Sequence, residues 1–226
     1  MTVSTLVSQP LAAGQRLSRE EFLRRWEAMA ELKNAELIGG VVYMPSPVSR
    51  SHRAHDMRVH DWLSRFADFP HGCEAGCNGT WLMLDDAPQP DADLCILPEY
   101  GGQSGDEGSY CAGAPELVAE VCRSSRDYDL GPKMELYQAA GVQEYLTVIL
   151  GENQVLWRRL AGGRYVLLKP HADGVVRSAV FPGLWLDPEA LLANKGARVQ
   201  EVLDQGLKSP EHEEFVRGLA ARKASQ

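Results

Sequence analysis

Four side chains carry the chemistry this sequence offers. They are Asp91 in "PQPDADLCIL", Glu120 in "PELVAEVC", Lys133 in "YDLGPK" and Glu36 in "AELIGGVVYM". Glu120 stands inside an apolar run, where an ionised carboxylate is costly unless it is paired, neutralised or bound to a cation. If residues 116–122 form a strand, alternation puts Glu116, Val118, Glu120 and Cys122 on one face and Leu117, Ala119 and Val121 on the other. Asp91 opens a second strand directly after Pro90, and Asp93, two residues on, shares its face. Magnesium is commonly held by one or two carboxylates with waters and substrate phosphate, which acids from two neighbouring strands can supply. Such an ion polarises a phosphate and acidifies a bound water. A lysine beside it can stabilise the charge that develops on phosphorus. Each residue alone has a plainer role: Glu120 as an ion-pair partner, Asp91 as a turn residue, Lys133 as a solvated helix lysine, Asp127 and Asp129 as helix caps. The metal-site reading rests on their combination.

The elements that must position these groups are legible in outline. Ser18 with Glu21 three residues later is a capping-box pattern; the helix it opens carries a stripe of Phe22, Leu23, Trp26 and Met29. "AELIGGVVYM" predicts a hairpin turning at Gly39-Gly40. "SRSHRAHDMRVHDWLSRFADF" predicts a second helix with Met57, Trp62, Leu63 and Phe66 inward and a solvated His52/His55 face. Strands are expected at Thr80–Leu84, Ala92–Leu97 and Glu116–Cys122. "GGQSGDEGSYCAGAP" reads as a loop. A helix bearing Lys133 about one turn in should be capped by Asp127 or Asp129 and closed by Gly141. "VQEYLTVIL" and "QVLWRRLAGGRYVLLK" predict three more strands, the last two a hairpin about Gly162-Gly163. Asp187-Pro188 opens a short helix, and the polar tail is helical. This order implies an α/β (α+β) fold with a mixed central sheet flanked by helices. The division expected is an N-terminal arm at 1–17, one domain at 18–196 and a helical tail at 197–226.

Composition narrows the class. The chain has 226 residues, 44% of them hydrophobic, enough for one domain with a core. Its formal net charge of −8 argues against a general nucleic-acid coat. A polyanion would need a local basic patch, and Arg50, His52, Arg53, His55, Arg58 and His60 on one segment are the candidates. Five cysteines, an odd number, and the absence of a signal pattern favour a reducing cytoplasm. No window reaches ~18 apolar residues, so no membrane span is expected. Cys73, Cys77 and His71 suggest zinc, but no second Cys/His pair follows at finger spacing. Trp81, Trp157 and Trp185 look like more apolar surface than one core accommodates, which suggests a homodimer.

The blocks "AELIGGVVYMPSPV", "PQPDADLCILPE", "GAPELVAEVCRSS", "YDLGPKMELYQAAGVQEYL" and "VFPGLWLD", in that order, resemble the bacterial Uma-type family of restriction-endonuclease-like proteins. The resemblance spans roughly Glu20 to Leu192. It implies a restriction-endonuclease-like core and a PD-(D/E)-x-K type site that hydrolyses DNA with Mg²⁺ or Mn²⁺. Asp91 matches the Pro-Asp element and Glu120 the acid of the second strand, the two metal ligands. Glu36 matches an acid of the first hairpin. Where that pattern usually has its lysine, this chain has Cys122, and Lys133 on the next helix matches the family's displaced lysine. Ser124 and Ser125 of the "SSRDY" turn are expected at the mouth of the site, donating to phosphate or stabilising the turn. The competing reading is a nucleic-acid-binding or assembly protein that keeps the fold without catalysis.

Overall fold

Apolar alternation and turn residues build seven helices and thirteen strands in the described residues of the computed structural model, which are 9–44, 49–122 and 125–225. In chain order the first elements are α1 (Arg19–Glu27), β1 (Glu36–Ile38), β2 (Val41–Tyr43), α2 (Arg50–Ala67), β3 (Cys73–Gly76), β4 (Trp81–Leu82) and β5 (Ala92–Ile96). Then come β6 (Gly105–Glu107), β7 (Tyr110–Ala112), β8 (Leu117–Cys122), α3 (Arg126–Asp129), α4 (Pro132–Ala140) and β9 (Glu144–Ile149). The chain continues through β10 (Gln154–Ala161), β11 (Arg164–Leu167), β12 (Val176–Arg177), β13 (Trp185–Leu186), α5 (Pro188–Leu192), α6 (Gly196–Gly206) and α7 (Pro210–Ala224).

A six-stranded mixed sheet, ordered β11-β10-β9-β8-β5-β3, is the centre of the molecule. Only β8 and β9 run parallel within it, joined by α3 and α4. Both faces of β8 are covered, as its near-continuous apolar sequence requires. Leu117, Ala119 and Val121 pack against Val59, Trp62, Leu63 and Phe66 of α2, with α5, α6 and α7 completing that layer. Val118, on the other face, meets Leu136, Tyr137 and Tyr145. The alternation expected for β8 is therefore the one observed. A third cluster, with Phe22, Leu37 and Val42, joins α1 to the β1–β2 hairpin.

Several expectations need correction. Met57 points to solvent, because the buried stripe of α2 runs through His55, Val59, Trp62, Leu63 and Phe66. His55 is not solvated: its ring nitrogens lie 2.8 Å from the Ser51 carbonyl and 3.1 Å from that of Leu192. The Thr80–Leu84 strand shrinks to β4, since Leu84 turns the chain at φ 52°. The Gly/Ser-rich loop contains the β6–β7 hairpin, which turns at Gly108 and pairs with β4. Neither Asp127 nor Asp129 caps the lysine helix; both belong to the short α3, and Gly131 starts α4 without a side-chain cap. Lys133 is accordingly the second residue of its helix, not a turn in. Trp81 and Trp157 are buried in the core, which removes the surplus-surface argument for a homodimer.

A buried acid fixes the connection after β12. Glu144 Oε1 accepts from the Ala179 and Val180 amides at 2.7 and 3.2 Å, and its Oε2 from Ser178 Oγ and Trp157 Nε1 at 2.8 and 3.1 Å. Burial pushes its carboxyl up to about 7 against these four donors. The folded state thus binds this proton more tightly than the unfolded chain. The resulting stability is complete below the unfolded value near 4.5 and is lost as pH rises through about 7. Glu144→Gln should be less stable overall, and its unfolding free energy should fall less steeply over this window in urea titrations. An unchanged slope would contradict the assignment.

Candidate functional site

The register of two strands places the acids. β5 and β8 pair antiparallel with Ala92 opposite Ala119 and Asp93 opposite Val118. One step further along this ladder sets Asp91 against Glu120. The Asp91 carboxylate confirms the juxtaposition: Oδ2 accepts the Val121 amide at 2.7 Å. Behind it, His60 of α2 lies with Nε2 2.7 Å from the Asp91 carbonyl and 3.2 Å from Asp56 Oδ1. The main chain and the side chain of Asp91 are thereby each tied to a different element.

Lys133 reaches back across the strand–helix junction. Pro132 at the start of α4 commits the chain to turn there, and the lysine side chain lies over β8. Its Nζ is 2.7 Å from Glu120 Oε1, 2.9 Å from Glu36 Oε1 and 3.3 Å from the Gln89 carbonyl. Glu36 Oε1 also accepts the Gln89 amide at 2.7 Å, and Glu120 Oε1 accepts from Tyr137 OH at 2.9 Å. The Lys133 and Glu120 side chains are only 4% and 3% exposed, so these contacts form in a dry environment. Burial alone would lower the lysine, but Glu120 and Glu36 outweigh it and raise it well above its ordinary value, so the ammonium keeps its charge. Burial pushes Glu120 well above the usual carboxylate range, with Asp91, Asp129 and Glu36 adding repulsion and Lys133 opposing. Asp91 is pushed up by burial too, against Lys133 and the Val121 amide.

All four residues singled out in the sequence, Glu36, Asp91, Glu120 and Lys133, thus meet in one place. Cys122, where the common nuclease pattern has its lysine, is a buried thiol. Ser124 lies outside the described residues, while the Ser125 carbonyl accepts the Tyr128 and Asp129 amides and stabilises the turn. Three contributors escaped sequence reading. Gln89 bridges Glu36 and Lys133 through its main chain, for which side-chain type gives no signal. Tyr137 lies one turn beyond Lys133 on α4, a helical spacing that could have suggested it. His60, read as part of a basic segment and weighed with His52 and His55 as a metal face, supports Asp91 instead.

Asp91 and Glu120 each commit one oxygen internally, whereas both Glu36 oxygens are engaged, Oε2 accepting from Tyr128 OH at 3.4 Å. Among the described residues, nothing donates a hydrogen bond to Asp91 Oδ1 or Glu120 Oε2, so these two atoms could serve a cation. No group of three or more His, Cys, Asp and Glu side chains able to hold a metal occurs among the described residues. An ion here would therefore take two carboxylate oxygens and complete its shell with water and substrate oxygens, as magnesium does. The zinc reading of Cys73, Cys77 and His71 finds no such cluster either, and Cys73 lies in edge strand β3.

A mixed central sheet flanked by helices is the architecture of the restriction-endonuclease-like fold. Residues 19–189 match the profile of the Uma2 family, described as "putative restriction endonuclease", and the chain belongs to that family. A solved structure described as a "putative nuclease belonging to DUF820", from Anabaena variabilis, has the same fold. It superposes with a TM-score of 0.61 at 18% identity, covering 78% of this chain and 99% of its own. No curated protein matches this sequence.

Removing one partner of a buried ion pair strands the other charge, at a cost of roughly 3–5 kcal/mol. Lys133→Met should therefore destabilise the fold by about that much at neutral pH in urea denaturation. Adding Glu120→Gln should return about 1 kcal/mol or more through the coupling of the two sites. Strictly additive losses would contradict a direct pair.

Proposed function

We propose that the chain is a Mg²⁺- or Mn²⁺-dependent endonuclease that hydrolyses DNA phosphodiester bonds. The observation that carries this reading is the meeting of Asp91 and Glu120 beside Lys133, with Asp91 Oδ1 and Glu120 Oε2 left without a described donor. The local charge supports it. Glu36, Asp91, Glu120 and Asp129 gather about one ammonium, and burial pushes the last three up. Such a group lacks positive charge, and a divalent cation supplies it. Bound there, the ion would polarise a phosphoryl oxygen and acidify a water.

The chain's own residues have distinct parts. Asp91 and Glu120 would hold the ion. The Val121 amide and the Tyr137 hydroxyl fix which oxygen of each carboxylate stays free. Lys133 fixes Glu120 and places a permanent positive charge where negative charge builds on the phosphate. Glu36 and the Gln89 carbonyl hold that ammonium in position. Membership of a family described as "putative restriction endonuclease" supports DNA as the substrate.

One observation favours the non-catalytic alternative. Lys133 spends its donors on three protein oxygens, and its side chain and that of Glu120 are almost fully buried. A protein that keeps this network as a structural keystone needs no cation.

Supercoiled-plasmid nicking separates the two. With Mg²⁺ or Mn²⁺ the wild type should nick, and Asp91→Asn and Glu120→Gln should each lose about 10²-fold or more. Millimolar Mg²⁺ should also raise the wild-type melting temperature and leave that of Asp91→Asn unchanged. Nicking by both variants at the wild-type rate, or a zero thermal shift with inactive wild type, would defeat the nuclease reading.

A further inference from the structure

The basic residues of α2 divide into two kinds. Arg58 is engaged: its guanidinium donates to Asn194 Oδ1 at 2.9 Å and lies 3.6 Å from Asp61. Arg50 and Arg53 are exposed, and neither guanidinium has an acidic or hydrogen-bonded partner among the described residues. They line a groove of about 590 Å³ with Asp56, Met57, Arg58 and Asn194. Its Asp56 lies 3.2 Å from the His60 nitrogen that also meets the Asp91 carbonyl, so the groove borders the residue that supports Asp91 from behind. Their placement also runs against the helix dipole, which favours acids in a first turn. Helices α1 and α7 follow that preference with Glu20 and Glu21, and with Glu211 and Glu213, whereas α2 has no acid in its first turn.

We infer that Arg50 and Arg53 form a phosphate-backbone contact of this protein, holding the DNA strand that enters the Asp91–Glu120 site along α2. The choice of ligand rests on the nuclease reading; the charge complementarity does not. In a chain of net charge −8, a polyanion approaches only where positive charge is unpaired. At a rise of 1.5 Å per residue, Arg53 and Arg50 stand roughly 10 and 15 Å along the helix from His60. Three residues apart, Arg50 and Arg53 are neighbours on one exposed face of the helix and can meet phosphates of the same strand. Such contacts position the duplex and carry no base information.

The test is fluorescence anisotropy of the full chain with short labelled duplexes of two unrelated sequences, in EDTA so that nothing is cut. Affinity is followed from about 50 to 200 mM salt. Arg50→Gln/Arg53→Gln should weaken binding about tenfold or more at the low-salt end and lower the slope of log affinity against log salt by about 2, equally for both sequences. Lys208→Gln/Arg217→Gln, which removes the same charge from exposed positions of the helical layer, should leave slope and affinity near wild type. Circular dichroism melts check that both variants fold. Loss of the same slope in both double variants, no change in the first, or no duplex binding by wild type would each overturn the contact. Plasmid nicking run in parallel separates this from the nuclease reading. Arginine-dependent binding without nicking leaves the surface standing and the nuclease reading fallen. Nicking with arginine-independent binding does the reverse.

Discussion

One buried ammonium organises the centre of this protein. Lys133 joins the β1–β2 hairpin through Glu36, the central strand β8 through Glu120 and the segment before β5 through the Gln89 carbonyl. These partners come from three separate stretches of chain, so the lysine ties together elements that no local sequence preference would bring into register. A buried charge pair adds little net stability against an apolar replacement, because desolvating both charges offsets most of their attraction. Its effect is on geometry: with the ammonium fixed, the Glu120 carboxylate has one oxygen committed and one available.

The sheet supplies the complementary constraint. Side chains alternate across a strand, so a slip of one residue between β5 and β8 would send Asp91 or Glu120 to the opposite face. The apolar residues of β8 guard against that slip. Leu117, Ala119 and Val121 must face the aromatic stripe of α2, and Val118 must face the α4 layer. Core packing and site geometry are therefore set by the same register. The α2 helix links the two, burying Trp62 and Phe66 in the core while His60 supports the Asp91 carbonyl.

Much of this was legible in the sequence because it depends on short periods and on residue type. The alternation of β8, the capping serine of α1, the glycine turns and the left-handed Gly141 after α4 all follow from local rules. The four site residues were readable as a carboxylate in an apolar run, an aspartate after proline, a hairpin acid and a helix lysine. What was not legible depends on partners distant in sequence. Whether His55 and His60 face solvent or the fold is decided by Leu192 and Asp91, more than thirty residues away. β3 and the β6–β7 hairpin are short pieces with few β-forming residues, and neighbouring strands make them extended. The place of Met57 was misjudged because its neighbours define a stripe that bypasses it. The true start of α4 depends on a proline and a glycine taking precedence over two acidic caps.

The most direct test of the account is a crystal structure of the protein soaked with Mn²⁺, read by anomalous scattering. The account predicts a peak touching Asp91 Oδ1 and Glu120 Oε2 at about 2.1 Å, the distance expected of a hard divalent ion, with Lys133 still on Glu120 Oε1. A saturated soak with no peak at these carboxylates, or with manganese bound only elsewhere, would contradict it.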